Sequence, residues 1–206
     1  MEIFQSAIQG KVIKMNEYFL VGSVLDPVKD GFLEILRGLC DNPENKPVEF
    51  LETEYIYLKT NPNGPNVTLR ARKVGSPPDT AQHCHLKYVG SIDYKTDKVM
   101  VRTYNDCLTS SNLDEYLTAL GFNLESELII KGNLFHKGHL KIVVSKIFQP
   151  SATEPQALSN SHLVEISCTG PPGQTAIADS VKQFADLLKP FVRMDKISQI
   201  NEELNI

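Results

Sequence analysis

Glu127-Leu128-Ile129-Ile130-Lys131-Gly132-Asn133-Leu134-Phe135, the turn His136-Lys137-Gly138, and His139-Leu140-Lys141-Ile142-Val143-Val144-Ser145-Lys146-Ile147-Phe148 form the stretch on which the fold turns. Two runs rich in β-branched and aromatic residues, separated by a short glycine-bearing turn, read as an antiparallel hairpin. Working outward, six more segments of the same kind stand at Glu17–Leu25, Val48–Lys59, Val67–Lys73, His83–Gly90, Val99–Leu108 and His162–Thr169. Asn61-Pro62-Asn63-Gly64-Pro65 is a dense turn signal between the second and third strands of the chain.

Three segments read as helices. Asp26 and Pro27 suit an N-cap and a first-turn proline, and Val28, Phe32, Leu36 and Leu39 then share one apolar face. Gly31 and Gly38 weaken this helix by about 1 kcal/mol each against Ala, so packing has to support it. Ser111 and Asp114 have capping-box spacing before the stripe Leu113, Tyr116, Leu117 and Leu120, which Gly121 stops. Ile177, Val181, Phe184 and Leu188 form the stripe of the third, and Pro190 ends it. Eight strands and three helices without β-α-β alternation imply an α+β fold: a mainly antiparallel eight-stranded sheet, able to close into a β-barrel, with about three flanking helices. The loops Val74–Gln82 and Gln149–Ser161 are expected to be mobile but too short to divide domains.

Composition narrows the function. A chain of 206 residues buries roughly 70% of its unfolded surface and needs no disulfide or metal to hold a core. A net charge of −4 argues against sequence-independent nucleic-acid binding by the whole surface. The longest apolar runs are four residues, too short for a membrane helix, and the first fifteen residues lack the apolar core of a secretory signal. Cys40, Cys84, Cys107 and Cys168 have no metal-ribbon spacing and read as reduced thiols. Asn66-Val67-Thr68 matches a glycosylation sequon, but with no entry to the secretory route it reads as chance.

Strand alternation groups the charges. Glu52 and Glu54 face one way and Tyr55 and Tyr57 the other; Arg70 and Arg72 share a face, as do His83, His85 and Lys87. By periodicity alone this is the solvated side of a sheet; in a barrel the same charges line a polar tunnel. Glu-Thr-Glu at 52–54, Leu-Arg-Ala-Arg at 69–72 and Leu-Lys-Tyr at 86–88 resemble the strand order of triphosphate tunnel enzymes. In those, paired glutamates hold a divalent metal and inward Arg and Lys hold the triphosphate. The likeness breaks at Ile56, where a lysine is expected, and at Glu165, which stands without a second glutamate beside Leu163 and Ser167. Glu125 and Glu127 form a second Glu-x-Glu, but at the mouth of their strand. A metal-dependent triphosphate or polyphosphate hydrolase is therefore the alternative reading, disfavoured by its broken pattern. His83 and His85 can converge on a metal from one strand face, but Cys84 points to the opposite face and His136 and His139 lie at a turn, so all four read as half-exposed strand and turn histidines. Gly170-Pro171-Pro172-Gly173 is a turn, since two prolines remove the donors of a phosphate cradle. No catalytic, cofactor-binding or metal residue is assigned. A basic patch at Arg70, Arg72 and Lys73 is the most that favours weak nucleic-acid contact.

The order of the segments is specific. Gly22-Ser23-Val24-Leu25-Asp26 precedes Leu36-Arg37-Gly38-Leu39-Cys40-Asp41-Asn42; Leu69-Arg70-Ala71-Arg72 precedes His85-Leu86-Lys87-Tyr88-Val89-Gly90. Lys131-Gly132-Asn133-Leu134-Phe135-His136-Lys137-Gly138 runs into Lys141-Ile142-Val143-Val144-Ser145-Lys146-Ile147-Phe148, and Phe184-Ala185-Asp186-Leu187-Leu188-Lys189-Pro190 closes the series. Over about residues 16–195 this resembles the Mediator subunit 18 family in its metazoan form. The resemblance implies a nuclear, non-catalytic coactivator subunit of the Mediator head module that links gene-specific regulators to RNA polymerase II. It implies a triphosphate-tunnel-like barrel paired with the related barrel of Mediator subunit 20 and tethered by a C-terminal helix of subunit 8. It leaves residues 1–15 and 196–206 as a flexible N-terminal segment and a tail around one domain. A barrel without free edges is expected to meet partners through side chains, and an incoming helix through an apolar groove beside a flanking helix. Tyr55 and Tyr57 read as core under a helix, and no partner-binding residue is assigned.

Overall fold

Strands, in chain order, are β1 (Asn16–Leu25), β2 (Val48–Lys59), β3 (Val67–Val74), β4 (Cys84–Asp93), β5 (Met100–Thr109), β6 (Asn123–Lys137), β7 (Leu140–Gln149), β8 (Gln156–Ala157) and β9 (Ser161–Gly170). The helices are α1 (Lys29–Leu39), α2 (Leu113–Ala119) and α3 (Thr175–Leu187). This is a computed structural model that describes residues 14–62, 64, 66–74, 84–93, 98–151 and 153–196. Neighbouring strands run β6-β2-β3-β4-β5-β1-β9-β7, and β7 pairs with β6 to close an eight-stranded antiparallel barrel. The two-residue β8, within the loop Gln149–Ser161 expected to be mobile, adds to β7 at Phe148 and Gln149.

The β6–β7 hairpin is tighter than predicted. His136 pairs with Lys141 and Lys137 with Leu140, which leaves Gly138 and His139 as a two-residue turn. Gly138 adopts φ +56°, a conformation such turns demand and glycine adopts without steric cost. The tip is pinned from the end of α1. Asp41 accepts from the Gly138 N–H at 2.9 Å and from Lys137 at 2.7 Å, while Asn42 accepts from the His136 N–H and donates to the Leu134 carbonyl. The Cys40-Asp41-Asn42 segment is thus the clamp that sets the hairpin against the first helix.

Which face of the sheet is apolar decides the rest. The outward side chains of β1, β7 and β9, among them Leu20, Ile142, Val164 and Ile166, are buried beneath α1 and α3 with Phe32, Leu36, Val181 and Phe184. A second core lies outside β2, β3 and β4: Tyr57, Ala71 and Cys84 beneath Leu113, Leu117 and Phe122. Tyr57 and Tyr55 pack under α2, as read from the sequence. The hydrophobic layers therefore sit outside the barrel, and the strands' polar faces are left to line its inside.

Several local expectations change. Asp26 opens a 3-10 turn (Asp26–Val28) and makes no side-chain cap; it binds Lys146 at 2.6 Å instead. Val28 is exposed, and Leu33 joins the α1 face in its place. Ser111 and Asp114 form no capping box: Asn112 is the cap residue, with no side-chain bond to the helix N–H groups, and Asp114 accepts from the Tyr57 hydroxyl and from Lys73. Tyr116 and Leu120 are exposed, so α2 buries only Leu113 and Leu117. Gly121, at φ +84°, ends it as expected. β6 begins four residues early and β4 runs three residues late. His83 and residues 75–82 of the first long loop lie outside the described residues.

Candidate functional site

The inward faces of the strands enclose a tunnel of about 510 Å³. Among the described residues its lining includes Arg70, Arg72, Lys87, Arg102 and Lys141 on the positive side and Glu17, Glu54, Asp106 and Glu165 on the negative. The solvated-face reading of these charges is thus overturned. Alternation grouped Glu52, Glu54, Arg70, Arg72 and Lys87 correctly, but closure of the sheet turns that face inward.

Each cation meets protein carboxylates or other cations. Glu54, 1% exposed, takes Arg70 Nη1 at 3.0 Å on one oxygen and Arg72 Nε at 2.7 Å on the other. Arg72 also reaches Glu52 at 3.4 Å. Arg102 donates to Glu17 at 2.6 Å and lies 4.1 Å over the Phe19 ring. Asp106 accepts from the Tyr104 hydroxyl at 3.0 Å, with Lys87 at 3.7 Å and His85 at 3.5 Å. Burial, then the charges of Arg72 and Lys141, hold the Lys87 ammonium below the usual lysine range.

Glu165 is the strained member. Burial, and after it the charge of Glu17, push its carboxyl above the usual range against the pull of Arg102, Arg72 and Lys141. The folded chain therefore holds this proton more tightly than the unfolded chain does, and stability contributed here falls as pH rises from about 4.5. Glu165→Gln removes the penalty. It is expected to melt above the parent at pH 7.5, with the gain shrinking to nothing below about pH 4 in paired thermal melts.

This arrangement does not suit hydrolysis of a triphosphate. A divalent ion needs free carboxylate oxygens, and a polyphosphate needs unneutralised cations. Both oxygens of Glu54 are engaged by arginines, Ile56 stands opposite Arg70, and Glu125 and Glu127 are exposed outside the tunnel. Among the described residues no group of three or more His, Cys, Asp or Glu is placed to hold a metal. His85 pairs with Asp106, while His136 and His139 are exposed at the hairpin tip. The basic patch also dissolves: Arg70 and Arg72 turn inward, whereas Lys73 lies outside, 4.7 Å over the Tyr55 ring. Sequence reading missed Glu17, Arg102 and Asp106. Glu17 and Arg102 are cross-strand partners, a pairing that only the β1–β5 register brings about.

The fold and the polar tunnel can be set beside known proteins. A family model described as "Med18 protein" matches residues 66–199. The "Mediator of RNA polymerase II transcription subunit 18" of Aedes aegypti is 38% identical over 95% of this chain and 91% of its own length. The Danio rerio protein of the same name is 39% identical over 92% of each. In structure, a chain of the Schizosaccharomyces pombe Mediator head module superposes with a TM-score of 0.71, at 16% identity, covering 87% of this chain and 97% of that one. Identity at this level over more than nine-tenths of the chain, on a barrel whose Glu54 has both oxygens taken by arginines, means that the chain belongs to the Mediator subunit 18 family, a family of transcription-complex subunits rather than of enzymes.

Proposed function

We propose that the chain is a scaffold subunit of the Mediator head module in the nucleus, helping to bridge gene-specific regulators to RNA polymerase II through protein contacts. Its barrel, acting with its helices as one domain over about residues 16–195, pairs with the related barrel of Mediator subunit 20. A helix of subunit 8 tethers the pair. The observation that carries this reading is the identity to Mediator subunit 18 proteins along nearly the whole chain. The internal neutralisation of Glu54 by Arg70 and Arg72 supports it, since a scaffold needs the tunnel only as a rigid, satisfied interior. Among the described residues, no helix is long and apolar enough to cross a membrane.

Co-expression with subunits 20 and 8 is the test. A single co-eluting species containing all three is expected on size exclusion. A chain that elutes alone, and that releases phosphate from a triphosphate with Mg²⁺ or Mn²⁺ in a manner lost on Glu52→Gln with Glu54→Gln, would replace this reading with the hydrolase.

A further inference from the structure

The outer wall of the barrel is left partly uncovered beside α1. Leu51, Lys131, Lys146 and Phe148 alternate with the tunnel residues Phe50, Ile130, Ser145 and Ile147, so they face outward. Leu51 stands opposite Lys131, and Lys131 opposite Lys146, which makes one row across β2, β6 and β7. Across from the row, α1 presents Lys29, Leu33 and Arg37, spaced at i, i+4 and i+8 on one face. Between the two walls lies an open groove of about 750 Å³.

Its lining combines apolar and cationic groups. Leu33, Leu51 and Phe148 supply the first, and Leu51 is 39% exposed. Lys29, Arg37, Lys131 and Lys146 supply the second, against the three carboxylates Asp26, Asp30 and Glu49. Asp26 is taken by Lys146 at 2.6 Å, and the Asp30 side chain, 92% exposed, stands in water with Lys29 at 3.2 Å. Lys131 is exposed and has no ion pair among the described residues. A groove with more cations than carboxylates stands out on a chain of net charge −4. β6 is paired here on both sides, by Leu51 and by Lys146, so an occupant docks on side chains and does not join the sheet. A second helix, lying about 8–10 Å from the axis of α1, has the spacing for this.

We propose that this groove is the docking site for an acidic amphipathic helix of a partner protein. Leucine or aromatic anchors of that helix meet Leu33, Leu51 and Phe148, and its carboxylates meet Lys131 first, then Lys29 and Arg37. The length follows from α1. Lys29 to Arg37 covers about 12 Å at 1.5 Å per residue, so the contact takes roughly two to three turns of the incoming helix. The cations set its sign: a basic helix would place like charge against Lys131, which has no counter-ion of its own. The inference rests on the scaffold reading for the nature of the partner, and it gives that reading a surface.

The probe is a fluorescent synthetic helix of about 14 residues, with leucines at i, i+3, i+4 and i+7 and glutamates between them, titrated with the full chain by anisotropy. A second probe carries lysine at every glutamate. The acidic probe is expected to bind at least roughly tenfold more tightly than the basic one. Leu51→Glu and Lys131→Glu should each weaken it roughly fivefold or more, and Lys131→Arg should not. Tyr116→Glu, at an exposed site on α2, should leave binding unchanged. Leu51 and Lys131 are both exposed, so the variants should melt within about 2 °C of the parent, which separates lost binding from lost fold. Equal affinity for the two probes, no effect of Leu51→Glu and Lys131→Glu, or an equal loss in Tyr116→Glu would overturn the proposal. So would a duplex DNA that binds in a Lys131-dependent manner while the acidic helix does not, or a dimer of the chain that Leu51→Glu dissolves. A failed probe alongside intact co-elution of subunits 20 and 8 overturns the groove alone. Failed co-elution alongside a bound probe overturns the Mediator reading alone.

Discussion

Glu54→Gln is expected to lower the stability of the chain by about 3–5 kcal/mol, although it changes one atom of a side chain and nothing at the surface. Glu54 is the counter-charge for both Arg70 and Arg72 inside the tunnel, and the amide keeps its shape but not its charge. Two guanidinium groups then face a neutral side chain: Arg70, 42% exposed, keeps part of its hydration, and Arg72, the more enclosed of the two, keeps the Glu52 carboxylate at 3.4 Å. For a domain of this size the loss corresponds to a fall in melting temperature of roughly 10 °C. The cause is separable from packing. If uncompensated charge is responsible, adding Arg70→Gln to Glu54→Gln recovers part of the loss, because one of the stranded cations is removed. A loss below about 0.5 kcal/mol for the single variant would mean that the tunnel is wet enough to screen these charges. The ionic interior would then contribute little to the fold.

Phe135→Ala is expected to cost about 3–5 kcal/mol in urea or thermal unfolding. Phe135 is 0% exposed and belongs to the core outside the barrel beneath the helices. It stands opposite Ile142 across the β6–β7 hairpin, three residues from the turn. Truncation removes a large apolar contact at the point where Asp41 and Asn42 clamp the hairpin to the end of α1. Phe135→Leu should cost markedly less, about 1.5 kcal/mol or under. Equal losses for the two would show that ring shape, and not buried volume, is what the site requires.

Much of this was legible in the residues. The β6–β7 hairpin could be read because its strands are β-branched and its turn contains glycine. The third helix could be read because Val181, Phe184 and Leu188 recur at helical spacing and are all buried. Alternation also sorted Tyr57 from Glu54 correctly. It could not say which face was inside, since a solvated face and a tunnel face share one period; barrel closure by β6 on β7 decides that. Caps were misread for a related reason. Asp26 and Asp114 have cap chemistry, but Lys146 and Tyr57, 120 and 57 residues away, compete for them and win. Glu17, Arg102 and Asp106 escaped notice because their ion-pair partners lie on other strands: Glu17 and Arg102 pair with each other, and Asp106 with Lys87 and His85. The resemblance to Mediator subunit 18 rested on the order of ordinary segments. Asp41-Asn42 now has a physical reason to lie where it does in that order.

The most direct test of the central claim is purification of the tagged full-length chain from nuclear extract under native conditions, with quantitative mass spectrometry of what accompanies it. A Mediator subunit should bring down the other head-module subunits in near-equal amount, and Glu54→Gln should reduce them in proportion to the folded chain that remains. Recovery of the folded chain without Mediator subunits would contradict the account.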